Sequence, residues 1–350
     1  MIKYIGSKRL LVPRIVELAR ALPRATSAID LFSGTSRVGY GLKSAGFRVD
    51  ANDLSAYAAT IARCYVQSDS GKLTREAARW VDKLNALEGV PGYVTRTFCE
   101  NARFFQPHNG ARIDAIRAAI ADAQLEAELE SILLTSLIEA ADRVDSTTGV
   151  QMAFLKSWAP RAKRPLKMRV PELIKKPRAG KCRAHQLDAI DAARKLTADI
   201  AYLDPPYNQH KYLNYYHVWE SIVRGDEPDH YGIVCKRNEC ATHHSPFNSK
   251  REIHPALAEI VQTIDTRFLI VSFNNEGFIT PEEMIGLLSS RGQVWREEVD
   301  FPRYIGAQIG IHDHTGKVVG KVSHLTNKEN LFVVMPPGSR TKIEGMTREC

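Results

Sequence analysis

No stretch of this 350-residue sequence stays apolar for the roughly 18–20 residues that a membrane-crossing helix needs. The N-terminus carries no apolar core of the secretory kind, so a cytoplasmic protein is expected. Cysteines are few, six in all at 64, 99, 182, 235, 240 and 350, and their spacing offers no disulfide framework. That fits a reducing compartment. A G-x-x-x-x-G-K-[S/T] loop is missing, which argues against nucleoside triphosphate hydrolysis. There is no internal repeat. What is present is the composition of a folded protein, 44% hydrophobic and 25% charged, long enough for one large or two medium domains. Lys and Arg total 48 against 40 Asp and Glu, and the net charge of +8 points to a polyanionic partner.

The charge is concentrated. Between Arg161 and Arg183 stand ten basic residues and one acid, Glu172, a net of +9 over 23 residues, so the rest of the chain sums to −1. Pro160, Pro165, Pro171 and Pro177 keep this stretch out of helix and bias it toward extended backbone. An extended basic arm can follow a phosphate backbone, and each phosphate it neutralises releases counterions. Leu166, Met168, Val170, Leu173 and Ile174 should pack one side of it on the protein. The plainer reading is a solvated linker.

Residues 9–22 have apolar positions at helical spacing and stop at Pro23. Residues 28–32 form a short apolar strand ending in Ser33-Gly-Thr-Ser-Arg-Val-Gly39, a helix should run through Leu42 to Gly46, and residues 47–53 read as a second strand with Asp53 at its C-terminal end. This strand–turn–helix–strand order opens a doubly wound α/β sheet, whose ligands sit at the C-terminal ends of strands. Residues 55–90 and 108–145 are Ala-rich and read as helical. Residues 199–203 and 267–273 read as buried strands, residues 318–322 and 331–335 as a closing hairpin, and residues 336–350 as a loose tail.

The chemistry is carried by Asp204-Pro-Pro-Tyr207, directly after the apolar strand. An exocyclic amine on a heteroaromatic base is a poor nucleophile because its lone pair is delocalised into the ring. The Asp204 carboxylate and the Pro205 carbonyl could accept both of its N–H bonds and localise that pair. Two prolines make the turn rigid, so the acceptors need not reorganise during reaction. Tyr207 offers an aromatic face for an extruded base. Asp30-Leu-Phe-Ser-Gly-Thr-Ser36 is a second feature: Gly34 permits a tight turn and close ligand approach, and Asp53 is placed for ribose hydroxyls. A third is Lys3-Tyr-Ile-Gly-Ser-Lys8, an aromatic, a flexible turn and a cation just before a helix.

Together these segments resemble the D12-class (Dam-type) family of adenine-specific DNA N6-methyltransferases. Lys3–Lys8, Asp30–Gly39 and Asp204–Tyr207 occur in that family's order, as does Ser272-Phe-Asn-Asn-Glu-Gly277, and the likeness extends to about residue 335. The resemblance implies a Rossmann-like sheet over residues 1–90 and 185–335, with a mainly helical insertion at 91–184 carrying target recognition. It implies S-adenosylmethionine as methyl donor and double-stranded DNA as partner, with a cognate restriction endonuclease left open and a monomer compatible. Tyr4 and Lys8 should flank the donor pocket, Asp30, Phe32 and Gly34 should line it, Asp53 should hold the ribose and Asp188 should meet the donor's adenine. Asp204, Pro205 and Tyr207 should carry the target base. Ser36 stands where the family often has a second glycine and is expected to narrow the pocket. Arg161, Lys163, Arg164, Lys167, Arg169, Lys175, Lys176 and Arg178 become candidate phosphate contacts, and Lys211 joins them from the loop after Tyr207. Tyr215 and Tyr216 either close over the flipped base or pack a core. Cys235, Cys240, His243 and His244 have a spacing unlike compact zinc sites, so no metal is expected. The alternatives are a cytosine-N4 DNA methyltransferase, an RNA methyltransferase, or a DNA-binding relative without catalysis.

Overall fold

The computed structural model describes residues 1–302, 311–312, 318–320, 326–339 and 341–349. Short apolar runs alternate with helices and build an eight-stranded sheet. Strands β1 (Ser27–Asp30), β2 (Arg48–Asn52), β3 (Arg183–His185), β4 (Thr197–Leu203) and β5 (Asp265–Asn274) are mutually parallel. Strands β6 (Gln293–Pro302), β7 (Thr326–Met335) and β8 (Thr347–Arg348) complete one side, with β7 antiparallel between β5 and β6. The order across the sheet is β8-β6-β7-β5-β4-β1-β2-β3. From β1 the chain moves outward to β2 on one side, while β4 pairs on the other. That reversal is the switch point at which doubly wound sheets bind ligands.

Among the described residues the α-helices of seven residues or more are α1 (Val12–Ala21), α2 (Arg37–Ser44), α3 (Ala56–Ala62), α4 (Lys72–Asn85), α5 (Pro107–Asp122), α6 (Ala127–Asp142), α7 (Ala189–Lys195), α8 (Tyr212–Arg224), α9 (Ile253–Thr263) and α10 (Pro281–Ser289). Alternate strand residues serve opposite faces, as the pleat requires. Ile29, Ala201 and Leu203 pack with α7, α9 and α10. Ala28, Ile200 and Ile270 pack with α1 and α2 on the other face. A third cluster unites α3 and α4 with α5, α6 and α8 around Tyr57, Ile113, Leu137 and Trp219. The helices of residues 91–184 therefore share a core with those flanking them, and packing does not break at residue 90.

Two expectations near the C-terminus are corrected. Val318–Gly320 pairs with Ile311–His312 in a separate ribbon, while Thr326–Met335 lies inside the main sheet, so the two do not form a hairpin; Lys321 and Val322 fall outside the described residues. The apolar half of this strand, Leu331–Met335, is buried by two long neighbouring strands, which a short ribbon could not do. The tail is also not loose. Thr347 and Arg348 pair with β6, Ile343 is buried, and Arg14 donates to the Glu344 carbonyl. Cys64, Cys99, Cys182, Cys235 and Cys240 are buried and unpaired, and Cys350 lies outside the described residues.

Candidate active site

Three carboxylates stand at adjacent strand ends. Asp30 closes β1, Asp53 follows β2 and Asp204 follows β4. Asp30 is in register with Ala51 and Tyr202, which brings the three ends to one edge of the sheet. There they border a cleft of about 1140 Å³, counted to its open mouth. Tyr4 and Lys8 line it from the N-terminal segment, Phe32 and Gly34 from the turn after β1, and Asp188 from the start of α7.

The turn is shaped for close approach. Gly34 sits at φ +52°, and a Cβ there would come within 3.2 Å of the Tyr4 hydroxyl. Its N–H donates to Asp53 Oδ2 at 2.9 Å, while Asp53 Oδ1 accepts from the Ser55 N–H at 3.0 Å. Burial raises the Asp53 carboxyl above its ordinary range, and these backbone donors work against that. Asp30 Oδ2 accepts from the Gly39 N–H at 2.9 Å, tying β1 to α2. Burial pushes Asp30 up to about 7, and Asp204 nearby adds to it. Phe32 meets Phe247 edge-on with ring centroids 5.1 Å apart. Asp188 caps α7 through the Ile190 N–H. Ser36 turns away: it is fully buried, sits in the left-handed region at φ 58° and bonds Ser33 Oγ at 2.9 Å. It does not narrow the cleft.

Asp204 anchors the other end. Its Oδ1 lies 3.1 Å from Lys8 Nζ, and the same ammonium lies 2.6 Å from Glu329 Oε1 on β7. Burial raises Asp204 to about 7; Lys8 pulls the value down and Glu329 pushes it up. Burial also works against the Lys8 charge, but Asp204 and Glu329 together raise it well above an ordinary lysine. Lys8 thus remains an ammonium held between two carboxylates. Asp204 and Pro206 line the cleft, and Tyr207 packs beside them, 5.5 Å from the Phe273 ring with Lys8 Nζ 5.8 Å from its centroid.

The segment after Tyr207 is not a long loop. It becomes α8 at Tyr212, so Tyr215 is a helical residue and Tyr216 stands at a kink within the helix. Tyr216 is fully buried, stacks on Tyr4 at 4.6 Å and accepts from the Ile5 N–H at 2.7 Å, which makes it core. Tyr212 instead lines the cleft, stacked 5.3 Å from Tyr4. Lys211 is diverted from phosphate: its ammonium donates to the His243 carbonyl. Residues 243–248 form a cleft wall, further held by Asn248 Nδ2 donating to the Asn208 and His210 carbonyls at 2.7 and 3.1 Å. Cys240 lies buried against the Leu213 carbonyl, while His243 and His244 face the cleft.

The basic arm is ordered from beneath. Leu166, Met168 and Leu173 are buried, while Lys167, Arg169, Lys175, Lys176 and Arg178 point out, as do Lys163 and Arg164. Asn109 donates to the Ala162 and Arg164 carbonyls and accepts from the Leu166 N–H. Asn85 brackets Met168 through both its N–H and its carbonyl, and Ser136 Oγ donates to the Arg169 carbonyl. Side chains therefore pin the backbone that prolines keep extended. Arg161 departs from the expected set. Its guanidinium pairs with buried Asp145 at 2.7 Å and donates to the Thr147 carbonyl, so it secures the root of the arm.

Neither Glu329 nor Phe247 in the cleft wall stands in a motif that sequence reasoning picks out. Glu329 is the one acid heading the apolar run of β7, a weak signal in hindsight.

Residues 4–285 match the family described as D12 class N6 adenine-specific DNA methyltransferase. The chain is 30% identical over 302 residues to modification methylase StsI of Streptococcus sanguinis, covering 82% of this chain and 46% of that protein. It is 27% identical over 337 residues to type II methyltransferase M.NlaIII of Neisseria lactamica, covering 93% of this chain and 99% of the relative. With type II methyltransferase M.FokI of Planomicrobium okeanokoites the identity is 30% over 309 residues, 83% of this chain and 47% of that protein. The chain thus spans about half the length of two of these relatives and nearly all of the third. The motif order, the switch-point cleft and the extent of the match agree: the chain belongs to the D12 class of N6 adenine-specific DNA methyltransferases.

Proposed function

We propose that this chain transfers a methyl group from S-adenosylmethionine to N6 of an adenine swung out of duplex DNA. The observation that carries the reading is Asp204, rigidly followed by two prolines and open to a cleft that also holds Asp30 and Asp53. The cleft suits the donor chemically. Phe32 and Phe247 offer aromatic surface, Asp53 a carboxylate for hydroxyls, and Arg37 a buried Nε without a partner for a carboxylate. When bound, the donor supplies a methyl group activated by a sulfonium.

Asp204 and the Pro205 carbonyl accept the two N–H bonds of the adenine amine and turn its lone pair toward the methyl carbon. The new N–C bond forms as the C–S bond breaks, and N6 becomes cationic. Its extra proton passes to solvent after the transfer, so Asp204 acts as an acceptor in the transition state and need not be a strong base. Flipping the base costs a few kcal/mol, offset by backbone contacts and by stacking. The exposed cations between Lys163 and Arg178 support a backbone-positioning role on DNA.

The test is methyl transfer from labelled donor to duplex DNA by wild type and Asp204→Ala. Wild type labels the DNA and the variant does not; a variant that kept the wild-type rate would overturn the mechanism.

A further inference from the structure

Glu329 lies beyond residues 4–285, the span of the family match, and it is 1% exposed. Besides Lys8, it holds two neutral donors from the neighbouring strand β5. Ser272 Oγ donates to its Oε1 at 2.6 Å, and Asn274 Nδ2 donates to its Oε2 at 3.2 Å. Register places Asn274 directly across from it. Two strands and three donors thus fix this carboxylate in place. A lysine ammonium is a point charge on a flexible four-carbon stem, so one partner alone does not fix its position. Lys8 gains its second anchor from Glu329, and only then is its ammonium held at Asp204 Oδ1.

We propose that Glu329 is a positioning residue for methyl transfer: it clamps the Lys8 ammonium against Asp204 Oδ1, leaving the remaining acceptor capacity of Asp204 for the target amine. This rests on the function proposed above. The arrangement also has a charge logic. Lys8 faces two carboxylates, so the triad keeps one net negative charge beside the amine that becomes cationic. A triad that merely stabilised the sheet would have no reason to reach Asp204, since Lys8 and Glu329 already neutralise each other.

The experiment compares wild type, E329Q and E329D in single-turnover methyl transfer across the neutral pH range, with donor affinity from calorimetry. E329Q should lower the plateau rate about 10- to 100-fold at unchanged donor Kd. Its acid limb should move to higher pH, because a Lys8 ammonium no longer clamped withdraws an attraction on Asp204 that exceeds the repulsion from Glu329; a shift to lower pH would mean that Lys8 holds its place without Glu329. E329D keeps the charge and should keep the wild-type limb. In a Lys8→Met background the further change to E329Q should cost nothing more, since the residue acts through Lys8. A wild-type plateau and limb in E329Q would overturn the proposal, as would a full additional loss in the double variant. Should E329Q not fold, the double variant buries no unpaired charge at these positions, and its comparison with Lys8→Met decides the matter alone. Asp204→Ala runs in parallel. If wild type transfers no methyl group, the methyl-transfer reading fails; if Asp204→Ala stays active, the role given to Asp204 fails; if Asp204→Ala is dead while E329Q matches wild type, only the role of Glu329 fails.

Discussion

The pH dependence of methyl transfer follows from the surroundings of Asp204. Its carboxyl is pushed up to about 7 by burial, against the pull of Lys8 and with the push of Glu329. The carboxylate is the stronger acceptor and carries no O–H to compete with the amine, so the rate should rise through that value and level off above it. One pH unit below it, roughly a tenth of the molecules carry the ionised form, and the rate should fall about tenfold. Lys8→Met removes the cation 3.1 Å from Oδ1, so the limb should shift to higher pH. An adjacent opposite charge is worth about 1–3 units to a carboxyl. The assay is transfer with DNA well below saturation, which reports the free protein's Asp204, with donor affinity followed separately so that binding and chemistry are distinguished. A profile flat through neutrality, or a Lys8→Met limb displaced to lower pH, would refute the reasoning.

Asp204→Asn should abolish transfer yet leave the fold as stable or more so, by about 0.5–2 kcal/mol, because a buried carboxylate with a repelling neighbour is removed; thermal unfolding at neutral pH checks it. Neutralising Lys167, Arg169, Lys175 and Lys176 together should weaken DNA binding for every sequence. It should reduce the slope of log affinity against log salt by up to about 3–4, with donor affinity intact. Glu220→Ala should destabilise the protein by about 2–4 kcal/mol in urea unfolding. The carboxylate accepts from the Ala56 and Tyr57 N–H groups at 3.1 and 3.0 Å, and its loss strips α3 of a cap supplied from α8.

The acids at the strand ends that border the cleft were legible in the sequence. An apolar run broken by Asp30 or Asp204 has one economical interpretation, and both acids stand at the switch point. Extended character in the basic arm was legible from Arg164 onward, where Pro165, Pro171 and Pro177 act locally, whereas Pro160 instead opens a short helical turn over Pro160–Lys163. What escaped was set by distant partners. Lys8 and Glu329 are 321 residues apart in sequence, and no local pattern joins them. Arg161 looked like a free cation because its partner Asp145 is defined only by the fold. Lys211 was diverted by a main-chain carbonyl, which sequence patterns do not reveal. Tyr216 adopts non-helical φ −130° and ψ 26° inside α8 while its hydroxyl accepts from the Ile5 N–H, tertiary contact overriding local preference. The late strands were misjudged for the same reason: β7 finds its partners at residues 265–274 and 293–302, not beside it.

The central claim is that Asp204 and its cleft methylate adenine at N6. Duplex DNA incubated with the protein and isotopically labelled S-adenosylmethionine, digested to nucleosides and resolved by mass spectrometry, tests it directly. The account predicts the label in N6-methyldeoxyadenosine alone. Label in N4-methyldeoxycytidine, or in no nucleoside at all, would contradict it.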